Sequence, residues 1–120
     1  VTDQISMPDQ HRFFDTDTAS ATEHYHSVLL HELTHWTGAK HRLDRTFGNR
    51  FGDHAYAIEE LTAELGAAFL CADLGISASL REDHACYINN WLSAMKADAK
   101  TVFAAASAAS KAMEYLQELE

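Results

Sequence analysis

From Val28 to Trp36 the chain reads Val-Leu-Leu-His-Glu-Leu-Thr-His-Trp. Wound into a helix, its apolar residues fall on nearly every side, and such a helix has to be buried. His31, Glu32 and His35 are carried inward with it, and buried imidazoles and carboxylates are destabilising unless something pairs with them. A metal ion resolves that conflict. Four residues advance a helix by about 6 Å and slightly more than a turn, so His31 and His35 point the same way. That is the separation two ligands of one tetrahedral zinc ion require. Glu32 lies beside the same face. Zinc brings the pKa of a water molecule down to about 7, and a carboxylate so placed can take the proton and pass it on. The His-Glu-x-x-His spelling therefore makes Glu32 the candidate general base and His31 and His35 the candidate metal ligands.

A catalytic zinc site takes three protein ligands and leaves one position open. The segment from Ala57 to Leu65 offers Glu59, Glu60 and Glu64 on a second, largely apolar helix. Glu60 and Glu64 share a face that runs on into Ala67, Ala68 and Cys71, where small side chains let two helices approach closely. On this reading Glu60 is the third ligand and Glu64 is an acceptor that orients a ligand imidazole. Glu64 itself and His41 are the competing ligands. His31 to His41 spells His-Glu-x-x-His-x-x-Gly-x-x-His, the extended pattern of metzincins, with Gly38 turning the chain. Against His41 stand its basic neighbours Lys40, Arg42 and Arg45, and no methionine turn is visible: Met95 and Met113 fall in regular helical stripes. His54 and Tyr56 are candidates for steadying an oxyanion near the metal. His11, His24, His26 and His84 are scattered and read as structural or solvent-facing.

Expected helices frame these residues. Ser20 with Glu23 makes a capping box that opens the first helix, which runs to about Thr37 and stops at Gly38. Residues 38–52 hold three glycines and four basic side chains and read as a long loop, whose charge suits either an acidic partner or ordinary ion pairs beyond the helix end. A second helix extends from about Asp53 to Leu74 and closes at Gly75. Ser79 with Glu82 opens a third, striped by Leu80, His84, Ile88, Trp91, Leu92 and Met95. An alanine-rich fourth puts Val102, Ala106, Ala109, Met113 and Leu116 on one face. In front, Asp3 to Met7 alternate polar and apolar before Pro8, which predicts a short edge strand. The fold class expected is α+β, mainly helical, with about four helices and a short N-terminal strand.

The 120 residues suffice for one compact domain. Eighteen acidic against nine basic residues give a net charge of −9, the wrong sign for a chain that grips nucleic acid unaided. No apolar run approaches the roughly 20 residues that span a bilayer, and no signal-like segment is visible. Cys71 and Cys86 form no Cys-x-x-Cys pair and read as reduced thiols of a cytoplasmic protein. The start at Val1 rather than Met reads as the mark of a piece cut from a longer protein.

The strings themselves carry a further signal. Tyr25 to Gly38, Tyr-His-Ser-Val-Leu-Leu-His-Glu-Leu-Thr-His-Trp-Thr-Gly, followed by Arg42-Leu43-Asp44-Arg45, resembles the C-terminal domain of ArdC-type antirestriction proteins. Tyr56 to Leu65, Tyr87 to Leu92 and the front piece Asp3 to Pro8 are similar to that family too, so the likeness covers nearly the whole chain. It implies a zincin-like metallopeptidase domain, encoded on plasmids and other mobile elements, with a protein or peptide substrate. In such proteins it follows an N-terminal domain that binds single-stranded DNA and helps incoming DNA escape host restriction. No counterpart of that domain is visible between Val1 and Glu120, and single-stranded DNA is expected as a partner only through it.

These readings lead to one expectation. Residues 1–120 form a zincin-like domain that holds zinc, or manganese, through His31, His35 and Glu60 and hydrolyses peptide bonds with Glu32 as base. The rival is a non-catalytic module, in which the metal only stabilises the fold and the partner is a host restriction system. Structural zinc sites are usually closed by four protein ligands, often Cys, so an open position opposite His31 and His35 tells against it.

Overall fold

The computed structural model describes residues 3–17, 19–47, 54–76 and 99–119. They form a 3-10 turn at Gln10–Arg12 and three α-helices: α1 (Ala21–Thr37), α2 (His54–Leu74) and α3 (Lys100–Gln117). α1 starts where its capping box directs. Ser20 Oγ accepts the Glu23 backbone N–H at 3.1 Å, and Glu23 Oε1 accepts the Ser20 N–H at 3.1 Å. Both donors belong to the first turn, which a helix cannot pair internally.

α2 packs on α1 and on α3. It approaches α1 closely at Gly66, where a Cβ would meet Thr34 Cγ2 at 2.6 Å. Below that crossing Leu30, Ala67, Leu70 and Cys71 form the core, with Leu33, Ile76, Met113 and Leu116 packed against it. The Cys71 thiol is free, and burial pushes its pKa up. Along α3 the fully covered residues are alanines: Ala105, Ala109 and Ala112 are each 0% exposed.

The expected edge strand is absent. There is no strand among the described residues, so the fold there is all-helical and not α+β. A strand needs a neighbour whose backbone N–H and C=O groups are free to pair. The described residues beside Asp3 to Ile5 belong to the end of α1 and the loop that follows it, and neither is an extended strand with which this segment could pair. A side chain fastens this segment instead. Arg42 Nη2 donates to Asp3 Oδ2 at 2.6 Å, and that bond holds the Asp3 carboxyl below its ordinary pKa.

The buried stripe of α3 is also displaced from the predicted one. Thr101, Ala105, Ala109 and Ala112 are buried, whereas Val102 and Ala106 are half-buried; Met113 and Leu116 flank the core. Short side chains take the seam because they let the helix axes approach, and longer ones fill its margins. The expected third helix with its Ser79–Glu82 box lies outside the described residues, as do Cys86 and Arg50. No described helix is long and apolar enough to cross a membrane.

Candidate metal centre

His31 and His35, one turn apart on α1, bring their Nε2 atoms to 3.1 Å from one another. Glu60 reaches both from α2. Its Oε2 lies 3.4 Å from His31 Nε2 and its Oε1 lies 3.1 Å from His35 Nε2. One donor atom from each of the three residues falls within 4.8 Å of the others. Two imidazole nitrogens and a carboxylate oxygen are a mixed set of the kind that binds first-row divalent ions.

The far side of each ring faces a different carboxylate. His31 Nδ1 is 2.6 Å from Glu64 Oε1, and His35 Nδ1 is 2.8 Å from Glu59 Oε2. An ionised carboxylate only accepts, so the nitrogen beside it is the protonated one: His35 Nδ1 donates to Glu59, and His31 Nδ1 lies in ion-pair contact with Glu64. A neutral ring then keeps its lone pair on Nε2. Two bare lone pairs 3.1 Å apart would repel, so the Nε2 atoms share with Glu60 either a proton or a metal ion. The donor atoms, the ring forms and the burial therefore suit a divalent ion.

The electrostatics agree. Burial alone would lower the pKa of His35, but the carboxylates of Glu59 and Glu60 outweigh it and raise the value from 6.5 to about 9. Burial opposes the charged form of His31 too, and Glu60 and Glu64 raise it. Glu60, which burial would push up, is drawn down to about 2 by hydrogen bonds from the two imidazoles. Without metal, this cluster gathers protons where an ion would sit.

Glu59 has a support of its own. Arg45 Nε donates to Glu59 Oε1 at 2.8 Å, and Arg45 Nη2 donates to Glu59 Oε2 at 3.0 Å. The same guanidinium donates to Thr37 Oγ1 at 2.9 Å and to the Thr34 carbonyl at 2.6 Å. The loop after α1 is folded to deliver it: the Leu43 N–H bonds to Thr37 O, that of Asp44 to Ala39 O and that of Arg45 to Gly38 O, each at 3.0 Å. Asp44 sits at φ 52°, a left-handed conformation that Asp tolerates better than most residues. A Cβ on Gly38 would lie 2.7 Å from Arg45 Nη2, so glycine leaves the guanidinium its room. The sequence placed Arg45 in a basic loop suited to ion pairs and offered Glu59 beside Glu60 and Glu64, but it did not join the two to each other or to His35. The available signal was a surplus carboxylate on an apolar helix, which demands a counter-charge.

His41 lies apart from this cluster. Its side chain is 66% exposed, and its Nε2 is 3.5 Å from Asp3 Oδ2. It lines, with Glu32, His35, Lys40 and Phe47, a cleft of about 450 Å³ that opens beside the histidines. Arg42 is spent on Asp3 and on the Trp36 ring, 3.6 Å from its centroid, so both described arginines of the loop are paired within the chain. His54 is exposed and Tyr56 half-buried at the start of α2.

Residues 1–108 match the family model described as zincin-like metallopeptidase (MPTase-PolyVal). The chain is 46% identical over 115 residues to the uncharacterized protein y4eC of Sinorhizobium fredii (strain NBRC 101917 / NGR234), covering 96% of this chain and 36% of that protein. It is 38% identical over 119 residues to the DNA primase TraC of Escherichia coli, covering 99% of this chain and 11% of TraC. The Mn(II)-bound crystal structure of the antirestriction protein ArdC from the R388 plasmid superposes with a TM-score of 0.71 at 45% identity, over 81% of this chain and 36% of ArdC. The metal-free ArdC structure gives a TM-score of 0.69 at 48% identity, over 82% of this chain and 35% of ArdC. The chain thus spans 36% of y4eC and of ArdC and 11% of TraC. With the family model matching nearly its whole length, and its fold shared with ArdC, this chain belongs to the zincin-like metallopeptidase family.

Proposed function

We propose that this chain is a metal-dependent peptidase domain of an antirestriction-type protein of mobile elements. Its ligands for a divalent ion are His31, His35 and Glu60. One observation carries the reading: both Nδ1 atoms lie against carboxylates, at 2.6 Å and 2.8 Å, which leaves two Nε2 atoms and Glu60 turned toward a common point. The ion, zinc or the manganese that ArdC binds, would polarise the scissile carbonyl and activate a water for attack at neutral pH.

The chain's own groups do the rest. Glu32, half-buried on the wall of the cleft that His35 also lines, takes the proton from the attacking water and returns it to the leaving amine. Glu64 and Glu59 keep the two rings protonated on Nδ1. The cleft beside His35 admits a protein or peptide substrate. Residues 1–120 act as one domain of a longer protein, a reading supported by the greater lengths of y4eC, TraC and ArdC. The net charge of −9 favours assigning any single-stranded DNA binding to another part of that protein.

Glu32→Gln tests the mechanism, because an amide cannot accept the proton. The variant is expected to keep its metal and to lose about 100-fold or more in hydrolysis of an unstructured protein such as casein. Equal rates in wild type and variant at equal metal content would remove Glu32 from the chemistry.

A further inference from the structure

The two candidate ligand rings are supported unequally. The carboxylate behind His31 is that of Glu64, whose side chain is 20% exposed. The one behind His35 is that of Glu59, 7% exposed, held by a guanidinium that is itself 12% exposed. We propose that Arg45 is a positioning residue for the metal centre: by gripping both oxygens of Glu59 it fixes His35 with Nδ1 protonated and Nε2 turned to the ion. This rests on the reading of His35 as a ligand.

Geometry carries the proposal. A glutamate alone has three rotatable bonds, and one oxygen bonded to an imidazole leaves it free to swing. The planar fork of Arg45 meets Glu59 with two bonds, of 2.8 Å and 3.0 Å, which fixes the plane of the carboxylate as well as its place. The oxygen that accepts from Arg45 Nη2 is the one that accepts from His35 Nδ1, at 2.8 Å. Arg45 is anchored in turn to Thr34 and Thr37, on the helix that carries both histidines. The relay runs from α1 through Arg45 to α2 and back to α1, so it ties the two helices together at the site.

The relay also explains why a fixed positive charge is tolerated near a cation. Glu59 stands between the guanidinium and the ring, and it neutralises Arg45 on the side away from Nε2. Of the described basic residues in the loop that follows α1, Arg45 is the one whose guanidinium reaches the carboxylate behind His35. The sequence pattern suggested His41 for a place at the site.

The test uses the whole chain, labelled with ¹⁵N-histidine, as wild type and as Arg45→Met, Arg45→Lys, Glu59→Ala and the Met/Ala double variant. In the metal-free proteins the measurement is solvent exchange of the His35 Nδ1–H. In the same proteins zinc affinity is measured by competition with a chelator. The wild type is expected to show a protected Nδ1–H. Arg45→Met and Glu59→Ala should each lose that protection and bind zinc about 10–100-fold more weakly. The double variant should be no weaker than Glu59→Ala, because Arg45 acts only through Glu59. Arg45→Lys, which keeps the charge but not the fork, should fall between wild type and Arg45→Met.

A folded Arg45→Met with a protected Nδ1–H and affinity within about twofold of wild type would overturn the proposal. If Arg45→Met does not fold, Arg45→Lys decides: values identical to wild type overturn it. A wild type that binds no zinc would refute the ligand assignment, while the exchange of His35 Nδ1–H would still decide what Arg45 does.

Discussion

α2 has two seams of opposite character. Toward α1 it buries or half-buries Glu59, Glu60 and Glu64 against two imidazoles and a guanidinium. Along α3 the fully covered residues are Ala105, Ala109 and Ala112, with Met113 and Leu116 joining the core beside them. Both are close contacts made possible by small residues, Gly66 on one side and alanines on the other. Their energetics differ. Buried ion pairs return in attraction little more than they lose in desolvation, whereas apolar burial is a net gain. The fold therefore rests on the seam with α3 and on the apolar core that Leu30 and Leu33 of α1 share with Ala67, Leu70 and Cys71, and the polar part of the α1 seam is free to be shaped by chemistry.

The largest effects should come from cutting the α1 seam at the ligands. Glu60→Ala is expected to lose most bound metal at micromolar zinc. Glu64→Ala should lose some, since a supporting residue is typically worth about 10–100-fold in affinity. His41→Ala should retain nearly all, because its ring is 66% exposed and faces Asp3. Elemental analysis of the three purified variants gives the order. A metal-free His41→Ala beside a loaded Glu60→Ala would make the extended metzincin spelling the true guide to the third ligand.

How far the sequence foretold this contrast depends on the kind of signal. The start of α1 was legible because Ser20 and Glu23 bond each other locally, and no distant residue can overrule the capping box. The meeting of His31, His35 and Glu60 was legible because an i, i+4 pair on a helix fixes two directions and burial demands a partner. The strand at Asp3 to Met7 was misread because alternation over five residues reports only local pattern, and a strand exists only where a neighbour pairs with it. The stripe of α3 was misread for the opposite reason: alanines lie on every face, so hydrophobicity could not say which face closes the seam. Arg45 was hidden by its surroundings. In the sequence it is one of four basic residues in a loop, and only the backbone bonds from Leu43, Asp44 and Arg45 to the end of α1 bring it back to the histidines.

A smaller effect, of a different kind, follows from crowding the α3 seam. Ala109→Leu inserts three carbons where the wild type is 0% exposed, and overpacking of this sort costs about 1–3 kcal/mol. The expected result is a lower melting temperature with zinc affinity per folded molecule unchanged. Affinity that falls together with stability would show that the two seams are coupled through α2.

A last effect separates the seams by their protons. In the metal-free protein His35 titrates at about 9, against 6.5 when unfolded, because Glu59 and Glu60 outweigh burial. A raised value means that the folded state holds the proton more tightly. That stabilisation is complete below pH 6.5 and is lost as pH climbs through 9. Glu60, drawn down to about 2 from 4.5, contributes stability that is present above pH 4.5 and disappears as pH falls toward 2. Both belong to one interaction, the protonated imidazole against the carboxylate, and must be counted once. Melting temperature of the metal-free chain should therefore be highest between pH 4.5 and 6.5 and fall on the alkaline side up to pH 9. Zinc should reverse the alkaline slope, since it binds the unprotonated rings and its affinity rises as protons leave. The deficit caused by Ala109→Leu should be the same at every pH in that window, because the buried residues of α3, Thr101, Ala105, Ala109 and Ala112, do not titrate. A metal-free melting curve that is flat from pH 6.5 to 9 would mean that His35 holds no extra proton in the fold, and the carboxylates around it would need another account.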